Sequence, residues 1–144
     1  MQRGRRLAFD FGDARIGVAV SDPDSILCSP VKTLNTRSEL LWDEIFSLLR
    51  EFEPIEIYVG RPIHLRGQES PSTAKAEMFA RELRERYDLK VSMIDERLST
   101  VSAQRHLHEA GLTSKESRKT IDQAAAVEIL NMALDLERKQ KRDE

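Results

Sequence analysis

The chain is short of the residues that staple or decorate small proteins. Its 144 residues include one cysteine, Cys28, so no disulfide can close within the chain and no cysteine-rich metal site can form. Cys28 lies in an apolar, strand-like run, where an inert buried thiol is expected rather than a nucleophile. No apolar run approaches the ~20 residues a membrane-spanning helix needs, and no signal-peptide core is visible, so a cytoplasmic setting is expected. Neither sign of charge dominates. Lys and Arg number 23 against 25 Asp and Glu, a net charge of −2, so a nucleic-acid partner would have to be met by local patches. What is present, 40% hydrophobic and 33% charged residues, suits a globular domain, and one domain over residues 1–144 is expected.

The most informative stretch is Leu7–Asp22. Two apolar runs, Leu7–Phe11 and Ile16–Val20, flank a polar tip with Gly12 and Asp13, which predicts a β-hairpin. Leu7, Phe9 and Phe11 alternate with Ala8 and Asp10, placing Asp10 on a face of small residues. A carboxylate inside a strand is costly to bury alone and calls for a divalent cation or an arginine. The plainer alternative is a turn hydrogen bond or a salt bridge to Arg15. The arginines of Met1–Arg6 read as a solvated terminus.

Asp22-Pro23-Asp24 has turn chemistry, and Ile26–Leu34 reads as a third antiparallel strand that Pro30 confines to an edge or a bulge. Thr36 and Glu39 have capping-box spacing before a helix carrying Leu41, Ile45, Leu48, Leu49 and Phe52, ended by Pro54. Trp42 belongs to that helix as packing. Ile55–Val59 is a fourth strand, followed by a polar loop, Gly60–Pro71, which holds Arg61, His64 and Arg66. Such a loop lies where open α/β sheets place ligands. Ser70-Pro71 starts a helix whose inner positions are expected at Ala74, Met78, Leu83 and Tyr87. Val91–Ile94 is the fifth strand and runs into Asp95-Glu96-Arg97. Neighbours in a strand face opposite ways, so one of Asp95 and Glu96 can share a site with Asp10, and alternation leaves both open. A helix from Ser99 or Thr100 to Gly111 carries His106 and His108, spaced wrongly for a shared metal. A last helix, capped by Thr113 and Glu116, places Asp122 on the row of Ala126, Ile129 and Ala133, and the tail Arg138–Glu144 is expected to fray.

The implied fold is α/β: a five-stranded mixed sheet, three antiparallel strands then two parallel ones, with helices on both faces. Asp10, one of the Asp95–Glu96 pair and Asp122 offer a few hard oxygens around an open site. That donor set suits Mg²⁺ or Mn²⁺, and two such ions can promote phosphodiester hydrolysis.

The runs LAFDFGDARIGVAVSD (7–22), VGRPIHLRG (59–67), DERLST (95–100) and IDQAAAVEIL (121–130) resemble, in order and spacing, the signature blocks of the YqgF family. That resemblance implies an RNase H-like fold and nuclease activity, either maturing the 5′ end of precursor 16S rRNA or resolving four-way DNA junctions. It implies Asp10, Glu96 and Asp122 as catalytic, metal-binding carboxylates, selecting Glu96 over Asp95. It further implies phosphate contacts from Arg15, Arg61 and Arg97, with two Mg²⁺ (or Mn²⁺) ions as cofactor. Ala14 stands where the family often has a basic residue, and Arg61 where it has Leu. Nucleic acid, ribosomal particles and a second copy of the chain are the expected partners. The competing class is a binding module on the same fold that cuts nothing.

Overall fold

The computed structural model describes residues 1–63, 66–98 and 115–143. Its sheet contains β1 (Arg6–Phe11), β2 (Arg15–Ser21), β3 (Cys28–Asn35), β4 (Glu56–Arg61) and β5 (Lys90–Asp95), in the spatial order β3-β2-β1-β4-β5. β1 pairs antiparallel with β2, and β2 with β3, whereas β1–β4 and β4–β5 are parallel. The mixed sheet expected from the alternation is therefore present. Pro30 sits on the edge strand opposite Ala19, where the β2–β3 register shifts. Lacking an N–H, proline is tolerated there and nowhere in a central strand.

Helices α1 (Leu41–Phe52) and α2 (Pro71–Arg86) provide the crossovers into β4 and β5, and α3 (Lys115–Asp143) closes the other face. Strand alternation sorts the core into two layers. Leu7, Phe9, Ile16, Val18, Ile57 and Val59 pack with Ile45, Leu48, Phe79 and Leu83 on the α1/α2 side. The α3 side is built from smaller sheet residues, Ala8 and Ala19 beside Tyr58 and Ile94, against Ala126, Ile129, Leu130 and Ala133. Burying each large aliphatic side chain is worth about 1.5–3 kcal/mol. The small residues let α3 approach the sheet backbone, and that closeness shapes the site.

Three local expectations need correction. Thr36 does not cap α1: its hydroxyl donates to the Gly12 carbonyl at 2.7 Å and its N–H to the Ala14 carbonyl at 3.1 Å, tying it to the hairpin tip. Leu40 precedes the helix without a side-chain cap. The inner stripe of α2 is Thr73, Ala76, Phe79, Ala80 and Leu83, while Met78 is 65% exposed. The reason is Thr73. It completes a reciprocal capping box with Ser70 and also donates to the Pro62 carbonyl, which sets the roll of the helix. Finally, the tail does not fray at Arg138. Helix α3 runs on to Asp143, with Glu137 paired to Arg6 at 3.2 Å and Arg138 donating to the Ser25 carbonyl. The expected helix carrying His106 and His108, the Thr113 cap and His64 lie outside the described residues. Among the described residues no helix is long and apolar enough to cross a membrane.

Candidate active site

The site follows from moving one step along each strand of the α3-facing row. Ala8, Ala19, Tyr58 and Ile94 form that row. Two residues on, toward the carboxyl ends of β1, β4 and β5, alternation brings Asp10, Gly60 and Glu96 to the same face, and two residues back on antiparallel β2 brings Gly17. Asp10 is directly opposite Gly17 in the register, and Phe9 opposite Val59, so β4 offers Gly60 beside Asp10 on its other flank. Asp10, 5% exposed, thus lies between two strand glycines.

Each glycine makes room for an acidic residue. A Cβ at Gly60 would come within 3.0 Å of the Glu96 carboxyl carbon and 2.6 Å of Ile129 Cδ1. A Cβ at Gly17 would overlap the backbone carbonyl of Asp122 and lie 3.0 Å from the Gln123 nitrogen. The helix therefore rests on β2 through backbone, which brings Asp122 to the flank of Asp10 opposite Glu96. Glu96 opens a short 3-10 turn, Glu96–Leu98, just past β5. Asp95, of the other parity, turns instead to Arg97.

Asp122 is buried, and its Oδ2 accepts from Arg15 Nε at 2.6 Å, so the Arg15 guanidinium pairs with Asp122. The neighbouring Gln123 donates to Thr33 Oγ1 at 3.0 Å, a second tie between α3 and the sheet. Arg61, at the end of β4, is gripped by Glu77 at 2.8 Å and Glu69 at 2.5 Å. The Glu77 hydrogen bond is the main reason its guanidinium holds its proton more tightly than usual. Arg97 donates to Asp95 through Nη2 at 2.7 Å and Nε at 3.0 Å, and that contact holds the Asp95 carboxyl below its usual range. All three arginines expected near phosphate are thus at this end of the sheet, and each is neutralised by a carboxylate of its own chain.

Three carboxylates around a cradle that a Cβ would fill supply hard oxygen donors of the type Mg²⁺ and Mn²⁺ prefer. Among the described residues no three such groups are already close enough together to form a metal cage. The chemistry of the donor set fits a divalent ion, and the Asp122–Arg15 pair is a contact that would have to open for Asp122 to reach one. The two glycines were missed in the sequence. Their signal was the run of small residues, Ala8, Ala19, Gly17 and Gly60, falling on one face once strands are aligned.

Comparison with known proteins agrees with the sequence resemblance. The family model described as "RuvX: Holliday junction resolvase" matches residues 4–136. A Streptomyces coelicolor protein named "Putative pre-16S rRNA nuclease" is 49% identical over 140 residues, covering 96% of this chain and 84% of that relative. A Corynebacterium jeikeium protein of the same name is 48% identical over 139 residues, covering 95% of this chain and 90% of its own length. With a family match over nearly its whole length and relatives this similar, the chain belongs to the RuvX (YqgF) family, described as Holliday junction resolvases and built on an RNase H-like α/β fold.

Proposed function

We propose that this protein is a divalent-cation-dependent nuclease that hydrolyses phosphodiester bonds in structured nucleic acid, with the 5′ end of precursor 16S rRNA as its substrate. The observation that carries the reading is the placement of Glu96 and Asp122 on either side of Asp10 over a cradle of two glycines. The names of relatives nearly half identical to this chain favour rRNA over other substrates.

In this reading Asp10, Glu96 and Asp122 hold Mg²⁺ or Mn²⁺. Bound there, a pair of ions supplies a water of lowered pKa and offsets charge on the leaving oxygen. The protein's own part is positioning. Asp10 is held by β1, Asp122 by the backbone seat of α3 on Gly17, and Glu96 by the turn after β5. Arg15, Arg61 and Arg97 meet the substrate by exchanging a carboxylate partner for a phosphate, which a planar guanidinium binds through two parallel hydrogen bonds. RNA and DNA share this phosphate chemistry, and the 2′-hydroxyl discriminates only locally.

A second reading, resolution of four-way DNA junctions, is favoured by the description of the matching family model. Two symmetric cuts would call for two copies of the chain. The experiment is parallel cleavage of labelled precursor rRNA and a synthetic four-way junction, with Mg²⁺, Mn²⁺ or chelator and with Asp10→Asn as control. Metal-dependent cutting of the RNA alone, lost in the variant, supports the rRNA reading. Symmetric nicking of the junction transfers the assignment to resolution. No cutting of either by folded protein, alone or with ribosomal particles, leaves a binding module.

A further inference from the structure

Asp10 and Phe11 are neighbours on β1, with Cα atoms about 3.8 Å apart, and alternation sends their side chains to opposite faces of the sheet. On the Phe11 side a cavity of about 340 Å³ opens between α1, α2 and the end of the hairpin. Its walls include three aromatic rings. Phe11 stacks on Phe79 at a centroid distance of 5.0 Å and 29° between planes, and Trp42 meets Phe79 at 5.7 Å and 34°. Met78, largely exposed, and Lys75 stand at the rim, and Lys75 Nζ lies 2.9 Å from Asp13 at the hairpin tip.

We propose that this cavity receives an unpaired nucleobase of the nucleotide adjoining the phosphate held above Asp10. The inference rests on the nuclease reading and extends it to a base-binding pocket across the sheet edge from the carboxylates. Three features select this occupant. The walls include the half-buried rings of Phe11 and Trp42, π surfaces of the type on which bases stack without regard to sequence, with the Arg86 guanidinium over the Trp42 ring at 4.1 Å and Glu82 on the lining. A lysine at the mouth is placed for the attached phosphate, with Asp13 as the partner it would exchange. The hairpin tip separating pocket from carboxylates is a turn of a few residues, so a strand crossing it meets both. The substrate class that follows is a duplex or folded RNA with a single-stranded nucleotide beside the cut, rather than a fully paired helix.

Trp42 is the only tryptophan in the chain, so its emission reports on the pocket alone. The full-length protein would be titrated in chelator at low salt with three fluorescein-labelled RNA hairpins: blunt, with an unpaired overhang, and with the same overhang made abasic. Label anisotropy reads overall binding, and Trp42 emission reads pocket occupancy. The overhang should quench Trp42 and bind about tenfold more tightly than the blunt hairpin, and the abasic overhang should do neither. Met78→Glu, at an exposed position, should erase the overhang's advantage while leaving the melting temperature unchanged. If anisotropy shows binding but normal and abasic overhangs bind alike with Trp42 unperturbed, the pocket proposal is overturned and the nuclease reading stands. If no RNA binds, the nucleic-acid reading falls with it. A Trp42 shift that follows protein concentration without RNA would assign the cavity to a second copy of the chain and also overturn the proposal.

Discussion

Replacing Gly17 by alanine should damage both stability and the candidate site, by an amount the contacts allow us to estimate. Gly17 is an ordinary strand residue paired with Asp10, so its backbone accepts an L side chain and the effect is purely steric. The new Cβ would overlap the Asp122 carbonyl and approach the Gln123 nitrogen to 3.0 Å. Both obstacles are helix backbone, which no rotamer change can remove. To regain ordinary van der Waals separation, α3 must lift from β2 by roughly 1 Å or more. Overpacking costs about 1–3 kcal/mol, and a clash that moves a whole helix belongs at the upper end. For a domain of this size that corresponds to roughly 10 °C in melting temperature. Asp122 moves with the helix, and a displacement of about 1 Å at a catalytic group costs on the order of 100-fold in rate. Gly60→Ala is the internal comparison. There the contacts are the end of Ile129 and the Glu96 carboxyl, both side chains that can give way. Its melting temperature should fall by only a few degrees, while cleavage drops because Glu96 is pushed aside. Thermal unfolding by circular dichroism and single-turnover cleavage would measure both. A Gly17→Ala protein with unchanged melting and full activity would refute the backbone seat of α3 and the site built on it.

Other outcomes follow from the opposite end of the sheet and from its loops. Arg6 is 2% exposed and donates to Gly4, Gln2 and Ser25 while pairing with Glu137, so Arg6→Met should cost about 3–5 kcal/mol in urea unfolding. Adding Glu137→Leu should recover much of that loss, and a double variant no better than the single would refute a buried charge as the cause. Asp22 accepts backbone hydrogen bonds from Leu27, Ile26 and Asp24, and the Leu27 bond is the main reason its carboxyl sits below its ordinary value. A lowered folded value means stability present above the ordinary carboxylate range and lost as pH falls through it. Asp22→Ala should therefore unfold more easily than wild type at pH 7, with the two urea midpoints converging in acid; a constant gap would contradict this. Burial pushes the Cys28 thiol up to about 11, so iodoacetamide should label it at pH 8 far more slowly than a free cysteine, and equal rates would show the thiol is not sheltered.

Much of this architecture was legible because the decisive signals are local. The hairpin shows in two alternating runs around Gly12, the edge position of β3 in Pro30, and the start of α2 in Ser70-Pro71. What escaped is tertiary. Thr36 and Glu39 have capping-box spacing, but Thr36 spends its hydroxyl on the Gly12 carbonyl of another element. Met78 and Thr73 point about 140° apart around the helix, and only the Thr73 bond to Pro62 shows which turns inward. The tail looks like a solvated charge run until Arg6 and Ser25 are folded against it. Alternation alone could not choose between Asp95 and Glu96, because the strand ends between them. Side-chain pairing resolves their placement, with Asp95 on Arg97 and Glu96 over Gly60.

The arginine pairings also bear on how such a protein can meet nucleic acid with a net charge of −2. Arg15, Arg61 and Arg97 each already face a carboxylate, so a phosphate arriving at any of them replaces one anion with another. Exchange of that type yields far less than the meeting of phosphate with a bare guanidinium, and it releases fewer counterions than a dedicated basic surface. Asp122 is the exception that couples the two halves of the site. A cation that draws Asp122 toward Asp10 frees Arg15 for phosphate, so divalent ion and substrate should each favour the other's binding, by the reciprocity that holds for any coupled pair. Arg15→Gln should therefore bind Mn²⁺ more tightly than wild type in the absence of nucleic acid, since Asp122 no longer has to leave a competing cation. Calorimetric titration reads that affinity directly, and weaker or unchanged Mn²⁺ binding would show that the Arg15–Asp122 pair holds the carboxylate in place rather than competing for it.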